Sequence, residues 1–472
     1  MDRKHVLCIS FPIFGHIIPL LELAKKLCEF HDVTFAVSSS RTEELKTRNM
    51  ILSSEGGHQV NLFGITDEVT WEDSDPSEPL NIQRMMKNRA SIRQAIGQLL
   101  RILPRRNPGG TESETPGIPF GPVDVIIYDC FLSQDVFPVC IERGFPFILF
   151  NSTNAHFPYE AVMSGDHTLT DPQLNPRTAL ARRPDAAGQF IHPIAVMKLQ
   201  TLLLPVKKVM PMASGLIMNS FRPFEQKEIS VLEHAESMKT IPVYCVGPLI
   251  PKENPTEQHK VVTDFLASQS RSSLIYVAFG SMATLRAEQI RDIAKALENL
   301  SQPFIWSLKQ KLYQHLPANF QPDKIGFTTD KNGLILPWTP QTLILSHPAV
   351  GCFVSHCGWN STLEAMTGGK PVVCWPQFAD QLINAETLVE RNTGRMLSAA
   401  GLKLDGEFVP ASRIEEAIRA AKKNHAEDAK KWGEQFQTAW KVDGCSREEL
   451  LILTSRISEI SGTASEEMAT NL

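Results

Sequence analysis

The sequence predicts an α/β protein with largely parallel sheets, built as two domains. Three observations carry that reading. Short β-branched apolar runs alternate with helical patterns, and the alternation starts afresh past the middle of the chain. In addition, 472 residues, 42% of them hydrophobic and 21% charged, provide material for more than one buried core.

In the first half, His5–Phe11 reads as a strand and Ile17–Phe30 as a helix with Pro19 in its opening turn. Asp32–Ser38, Val123–Tyr128 and Phe147–Phe150 follow as strands. Between them, Pro104–Pro122 is rich in Pro, Gly, Ser and Thr and reads as a surface loop. Pro158–Pro193 is loop-like too, where substrate-contacting insertions often lie. Val246–Pro251 and the polar stretch to Lys260 read as an interdomain linker. Beyond it, strands are expected at Ser273–Phe279, Pro303–Leu308, Gly333–Leu336, Val350–Ser355 and Pro371–Trp375. Helices are expected at Ala287–Leu300, Asn360–Met366 and Gln381–Arg391. The expected domains are therefore 1–245 and 261–445, joined by 246–260, and two such domains facing each other would leave a cleft. The halves share a pattern and no visible repeat.

Lys plus Arg number 47 and Asp plus Glu 52, so the net charge of −5 gives no broad attraction for a phosphate backbone or anionic lipid. A nucleic-acid partner is disfavoured. Nine cysteines, an odd number without regular spacing, point to reduced thiols and a cytoplasmic protein. Arg3, Lys4 and the run Val6–Phe11 imitate a secretory leader. Pro12, Gly15 and His16 interrupt that run, however, and no small-residue cleavage site follows. No run of about 18 apolar residues suggests a transmembrane segment.

The first chemical candidate is His16, in Phe14-Gly15-His16, where strand one turns into a helix. Ligands of open α/β sheets bind beyond the carboxyl ends of strands, so this histidine faces a candidate site. A lone histidine is more often a cap or a core residue. What changes the weighting is Asp129, at the end of another strand: by accepting the Nδ1 proton it would leave Nε2 free as a general base. The single glycine nearby is not the three-glycine dinucleotide fingerprint.

The second candidate is His356-Cys357-Gly358-Trp359-Asn360-Ser361, between a buried strand and a helix. Exposed N–H groups at a helix N-terminus, with the dipole behind them, suit a diphosphate. Glu364 follows Asn360 and Ser361 by four and three residues, so it shares their helix face and can accept ribose hydroxyls. Ordinary capping explains the serine and asparagine but leaves Glu364 and Trp359 unexplained. His347, Cys352, His356 and Cys357 offer metal ligands, yet Cys352 and Cys357 lie in or beside an apolar strand and no metal is expected. A hydrolase using Ser281 or Ser361 is weak, because neither serine lies in a Gly-x-Ser-x-Gly elbow.

Taken together, Trp338–Gln381 resembles the 44-residue signature box of plant-type family 1 UDP-glycosyltransferases. The matching skeleton is Trp338-Thr339-Pro340-Gln341, His347-Pro348, Gly351, His356-Cys357-Gly358-Trp359-Asn360-Ser361, Glu364-Ala365, Gly368, Pro371, Trp375-Pro376 and Asp380-Gln381. Gly15-His16, Asp129-Cys130-Phe131 and Phe279-Gly280-Ser281 are similar to the family's other landmarks. The resemblance implies a GT-B fold: two facing Rossmann-like domains with an interdomain cleft, and a last helix within 446–472, about Arg447–Ile460, returning to the N-terminal domain. It places Trp338 on uracil, the Thr339 backbone at the base edge, Gln341 near the ribose and Glu364 on the ribose hydroxyls. Ser281, His356, Asn360 and Ser361 would surround the diphosphate, and Trp359, Asp380 and Gln381 would contact the sugar.

The resemblance further implies that His16, steadied by Asp129, deprotonates an acceptor hydroxyl that attacks the anomeric carbon with inversion, without an obligatory metal. UDP-glucose is the expected donor substrate, since Gln381 closes the box where users of galactose tend to carry His. The expected acceptor is a small lipophilic phenol, the protein a monomer. Phe14, Ser152, His156 and Phe157 are candidate acceptor-pocket residues, and loop packing explains each of them as well. Transfer to N, S or C, another UDP-sugar, a non-catalytic nucleotide-sugar binder and an epimerase are the alternatives. Three positions depart from the family pattern: Thr339 replaces Ala or Cys, Lys370 an apolar residue, and Tyr128 a small one.

Overall fold

The computed structural model describes residues 3–48, 50, 58–66, 82–104, 119–163, 202–252, 259–281, 283, 285–328, 332–399 and 407–463. Most of the two loops expected at 104–122 and 158–193 therefore lies outside the described residues. The chain divides into two compact units. One gathers the described residues within Met1–Trp71, Gln83–Leu249 and Val442–Leu472, and the other those within Ile250–Lys441.

In the first unit a seven-stranded sheet contains β1 (His5–Ile9), β2 (Asp32–Ser38), β3 (Asn61–Ile65), β4 (Val125–Asp129), β5 (Phe147–Asn151), β6 (Leu216–Met218) and β7 (Val243–Cys245). Their order is β3-β2-β1-β4-β5-β6-β7, and every pairing is parallel. β1, β4 and β5 are buried along their whole length, as near-continuous apolar strands covered on both faces must be. The chain leaves β1 toward β2 on one side while β4 pairs on the other. The carboxyl ends of β1 and β4 thus form a topological switch point.

The second unit repeats the scheme with β8 (Leu274–Ala278), β9 (Phe304–Ser307), β10 (Gly333–Leu336), β11 (Val350–Ser355), β12 (Val372–Cys374) and β13 (Gly394–Met396). The order is β10-β9-β8-β11-β12-β13, again all parallel, which puts the switch point between β8 and β11. Apolar side chains of the helices Ala287–Leu300 and Ala411–Asn424 form the core with the sheet, among them Ile290, Leu297, Ile414 and Ile418 beside Trp306 and Val354.

Several boundaries differ from the sequence reading. β1 stops at Ile9, and the first helix runs Phe14–Leu27 instead of Ile17–Phe30, so His16 sits inside its first turn and Pro19 lies deeper in the helix. Val246–Leu249, expected to open a linker, belongs to the first unit. The backbone N–H groups of Val246, Gly247 and Leu249 donate to Met218 O, Ser220 O and Asn219 Oδ1 at 3.0, 3.0 and 2.9 Å. The final helix, Cys445–Thr463, is fixed to the same unit by Glu449, which accepts Arg222 Nε at 2.6 Å and the Cys245 N–H. His31 Nε2 lies 3.2 Å from the Thr454 carbonyl. Among the described residues, no helix is long and apolar enough to cross a membrane.

Candidate active site

Each switch point carries a cluster of polar side chains. In the first unit, His16 Nδ1 lies 2.8 Å from Asp129 Oδ2. Asp129 is fully buried at the end of β4, and its other oxygen accepts the Phe131 N–H at 2.9 Å. A carboxylate facing Nδ1 places the proton there and leaves Nε2 as the basic nitrogen. Ser152, just past β5, joins the pair: its Oγ is 2.7 Å from His16 Nδ1 and donates to Asp129 Oδ2 at 3.1 Å. Three adjacent strand ends thereby converge on one imidazole.

Around that imidazole stand aromatic rings. Phe131 and Phe11 have centroids 4.6 and 5.3 Å from His16, and Phe157 stands 5.0 Å from Phe131. Of the four residues expected to line an acceptor pocket, Ser152 and Phe157 are brought to this group. Phe14 is directed elsewhere, with the guanidiniums of Arg41 and Arg48 at 5.1 and 4.5 Å from its ring centre. Phe14 and His16 are two positions apart, which puts them on different faces of one helix. His156 is buried with its ring 5.4 Å from Tyr159.

In the second unit the signature box folds around the helix Trp359–Thr367, which follows β11. Its N-cap is Gly358, no side chain caps it and its first turn holds no acidic residue. The N-terminal N–H groups consequently meet no competing carboxylate from their own turn. His356 precedes it, with Nε2 packed between two glycines: a Cβ on either Gly280 or Gly358 would stand 2.6 Å from that nitrogen. Gly280 also has a φ of +71°, which a glycine adopts without strain. Burial pushes the His356 pKa down to about 4, so at neutral pH the ring is uncharged and carries a single N–H. Ser281 is exposed at the same turn after β8, and its carbonyl accepts the Lys309 ammonium.

Beside the helix, Gln341 ties the expected ribose residues together. Its Nε2 donates to Ser361 Oγ at 2.9 Å and to Glu364 Oε2 at 2.5 Å. Its Oε1 accepts the Tyr276 hydroxyl at 3.1 Å, and that hydroxyl is 2.8 Å from Thr339 Oγ1. Thr339 is buried and its side chain is occupied by Tyr276, whereas Trp338 is half exposed with His259 at 5.8 Å. At the expected sugar end, Gln381 Oε1 accepts the N–H groups of Gln377 and Phe378 at 2.9 and 3.1 Å, which orients the amide nitrogen the other way. Trp359 is buried. Asp380 Oδ2 and the Cys357 carbonyl both accept from Asn384 Nδ2, at 3.0 and 2.9 Å. Asn360 is in the first turn of the helix.

Three residues of this cluster escape the sequence reading. Tyr276 signals itself only as one hydroxyl in an otherwise apolar strand, and Asn384 as an i, i+4 polar partner of Asp380. Lys309 is an ordinary lysine beyond a strand end. His347, Cys352, His356 and Cys357 do not come together as metal ligands: among the described residues, no group of three or more His, Cys, Asp or Glu is placed to hold an ion.

With this geometry in place, comparison with known proteins is informative. The family profile described as UDP-glucoronosyl and UDP-glucosyl transferase matches residues 238–418. UDP-glycosyltransferase 72E1 of Arabidopsis thaliana is 28% identical over 449 residues, covering 89% of this chain and 88% of that protein. Anthocyanidin 3-O-glucosyltransferase 2 of Manihot esculenta is 36% identical over 248 residues, 48% of this chain and 68% of its own. Medicago truncatula UGT71G1, solved with UDP-glucose, superposes with a TM-score of 0.73 at 23% identity, covering 97% of this chain and 98% of its own. The chain belongs to the plant-type family 1 UDP-glycosyltransferases. Its two parallel sheets are those of the GT-B fold, and the protein is a glycosyltransferase.

Proposed function

We propose that this enzyme is an inverting, UDP-glucose-dependent O-glucosyltransferase that acts on a small lipophilic acceptor, phenolic or flavonoid-like. The observation that carries the reading is the 2.8 Å contact of His16 with buried Asp129 at the β1–β4 switch point, in a chain that also holds the skeleton of the donor box. His16 Nε2 takes the acceptor hydroxyl proton as that oxygen bonds to the anomeric carbon from the face opposite UDP. The bond from the anomeric carbon to the diphosphate oxygen breaks and UDP leaves with the electron pair. An α-linked donor thereby yields a β-glucoside. Asp129 steadies the imidazolium that forms.

Donor roles follow the box: Trp338, Thr339, Gln341 and Glu364 for uridine, Ser281, His356, Asn360 and Ser361 for the diphosphate, Trp359, Asp380 and Gln381 for glucose. Neutral His356 contributes a hydrogen bond to the diphosphate, with no charge. We expect no obligatory metal, because the uncapped N–H groups of the helix Trp359–Thr367 would face the leaving group. A monomeric, cytoplasmic protein is part of the proposal. The Manihot relative's name, a 3-O-glucosyltransferase of anthocyanidins, supports both glucose and an aromatic acceptor. Phe11, Phe131 and Phe157 beside His16 suit a flat aromatic body.

The test is mass spectrometry of products from a mixed library of phenols, amines and thiols, with UDP-glucose, UDP-galactose and UDP-glucuronate in competition. Hexosylated phenols formed from UDP-glucose are expected. Preferential use of another UDP-sugar, or transfer only to amines or thiols, overturns the donor or the linkage. Conversion of a UDP-sugar without acceptor indicates an epimerase.

A further inference from the structure

A diphosphate is anionic, the chain as a whole is acidic, and His356 is neutral at pH 7. Helix dipoles and neutral donors supply partial charges only, so a full positive charge at the phosphates would change both affinity and leaving-group ability. The lysines of the second unit with a located ammonium in the sheet's neighbourhood differ in which end they occupy. Lys370 Nζ donates to His347 O and to Val350 O, at the start of β11, at 2.8 and 3.1 Å. Lys422 Nζ donates to Ser273 O, just before β8, at 3.4 Å. Both sit at the amino edge, a strand length of about 15 Å from the carboxyl edge where the ligand binds. Lys309 is at the carboxyl edge: it follows β9, and its ammonium donates to the carbonyl of Ser281 in the turn after β8. That turn continues from Gly280, where an added Cβ would stand 2.6 Å from His356 Nε2.

We propose that Lys309 is a cation of the donor site, pairing with the diphosphate of the UDP-sugar and stabilising the charge that grows there as UDP leaves. The inference rests on the reading that the second unit binds UDP-glucose. The ends of β8, β9 and β11 then act together: Ser281 and the helix tip orient the phosphate oxygens with N–H and O–H donors, and Lys309 supplies the charge. An ammonium on a four-carbon stem can exchange the Ser281 carbonyl for a phosphate oxygen, or hold both, without backbone movement.

The experiment measures binding of UDP and of uridine to the full chain by calorimetry or ligand-observed NMR, for the wild type, Lys309→Gln and Lys309→Arg. Lys309→Gln is expected to weaken UDP by about tenfold, as losing a charge-assisted hydrogen bond does, and to leave uridine within about twofold. The UDP affinity of Lys309→Arg should stay close to the wild type, and the salt dependence of UDP binding should become shallower in Lys309→Gln. An unchanged UDP-to-uridine ratio in Lys309→Gln overturns the role of Lys309 while leaving the donor site standing. Equal weakening of both ligands also overturns it, since the substitution then acts through local structure. A wild type that binds no UDP overturns the donor-site reading, and this inference with it.

Discussion

A histidine becomes a directed base only when something fixes which ring nitrogen is bare. Here Asp129 does so, and its own two oxygens are held by the Phe131 N–H and by Ser152. His16 and Asp129 were legible in the sequence because each closes a strand, or the turn beyond it, at the same sheet edge. Ser152 was legible as a pocket residue but not as part of the pair, since its relation to Asp129 depends on β4 and β5 being neighbours. Losing one hydroxyl from a hydrogen-bonded carboxylate costs about 0.5–1.5 kcal/mol. Ser152→Ala should therefore lower kcat several-fold with little change in the KM for UDP-glucose, and Ser152→Thr should recover most of it. A steady-state comparison that finds the loss wholly in that KM would place Ser152 on the donor instead.

Among the elements, the helix Ala287–Leu300 and most apolar strands of four or more residues were legible, whereas β3 and the helices Ile82–Ile102, Ala411–Asn424 and Ala426–Phe436 were not. Ala287–Leu300, Asp32–Ser38 and Val350–Ser355 fall where their patterns put them. The strands β6, β7 and β13, three residues each, are too short for a period to show and are specified by pairing with their neighbours. The same tertiary dependence hides Tyr276. Its hydroxyl reaches from β8 to Thr339 and Gln341, joining the strand to the segment that would hold uridine. Tyr276→Phe removes that tie without opening a cavity. The expected result is a few-fold rise in the dissociation constant of uridine and of UDP alike, read by titration. A change for UDP alone would show that Tyr276 acts on the phosphates.

For the whole molecule, the sequence divided the length into 1–245 and 261–445. The two compact units instead break at Leu249 and Ile250, while the chain returns to the first unit from Val442, close to the 446 expected for the returning helix. The difference arises because Val246–Leu249 is hydrogen-bonded to the β6 region, something a polar, linker-like composition nearby cannot reveal. Stability should also depend on the neutral ring of His356. His356 is held near pKa 4 in the folded chain, below its usual 6.5. Between those values the unfolded chain binds a proton that the folded chain does not. Stability from the neutral ring is therefore complete above pH 6.5 and is lost as pH falls toward 4. By pH 4.5 the loss is roughly 2–3 kcal/mol from this residue. Urea unfolding at pH 7 and pH 4.5 should show a smaller acid loss in His356→Gln than in the wild type; equal losses would mean that the ring is accessible to protons when folded.

The proposed reaction is a direct displacement at the anomeric carbon with His16 as the base. NMR of the glucoside formed from UDP-glucose and a phenol, together with turnover of His16→Ala, tests it most directly. A β-anomer is expected, with a fall in kcat of about a hundredfold or more when the base is removed. An α-anomer, or undiminished turnover in His16→Ala, would contradict it.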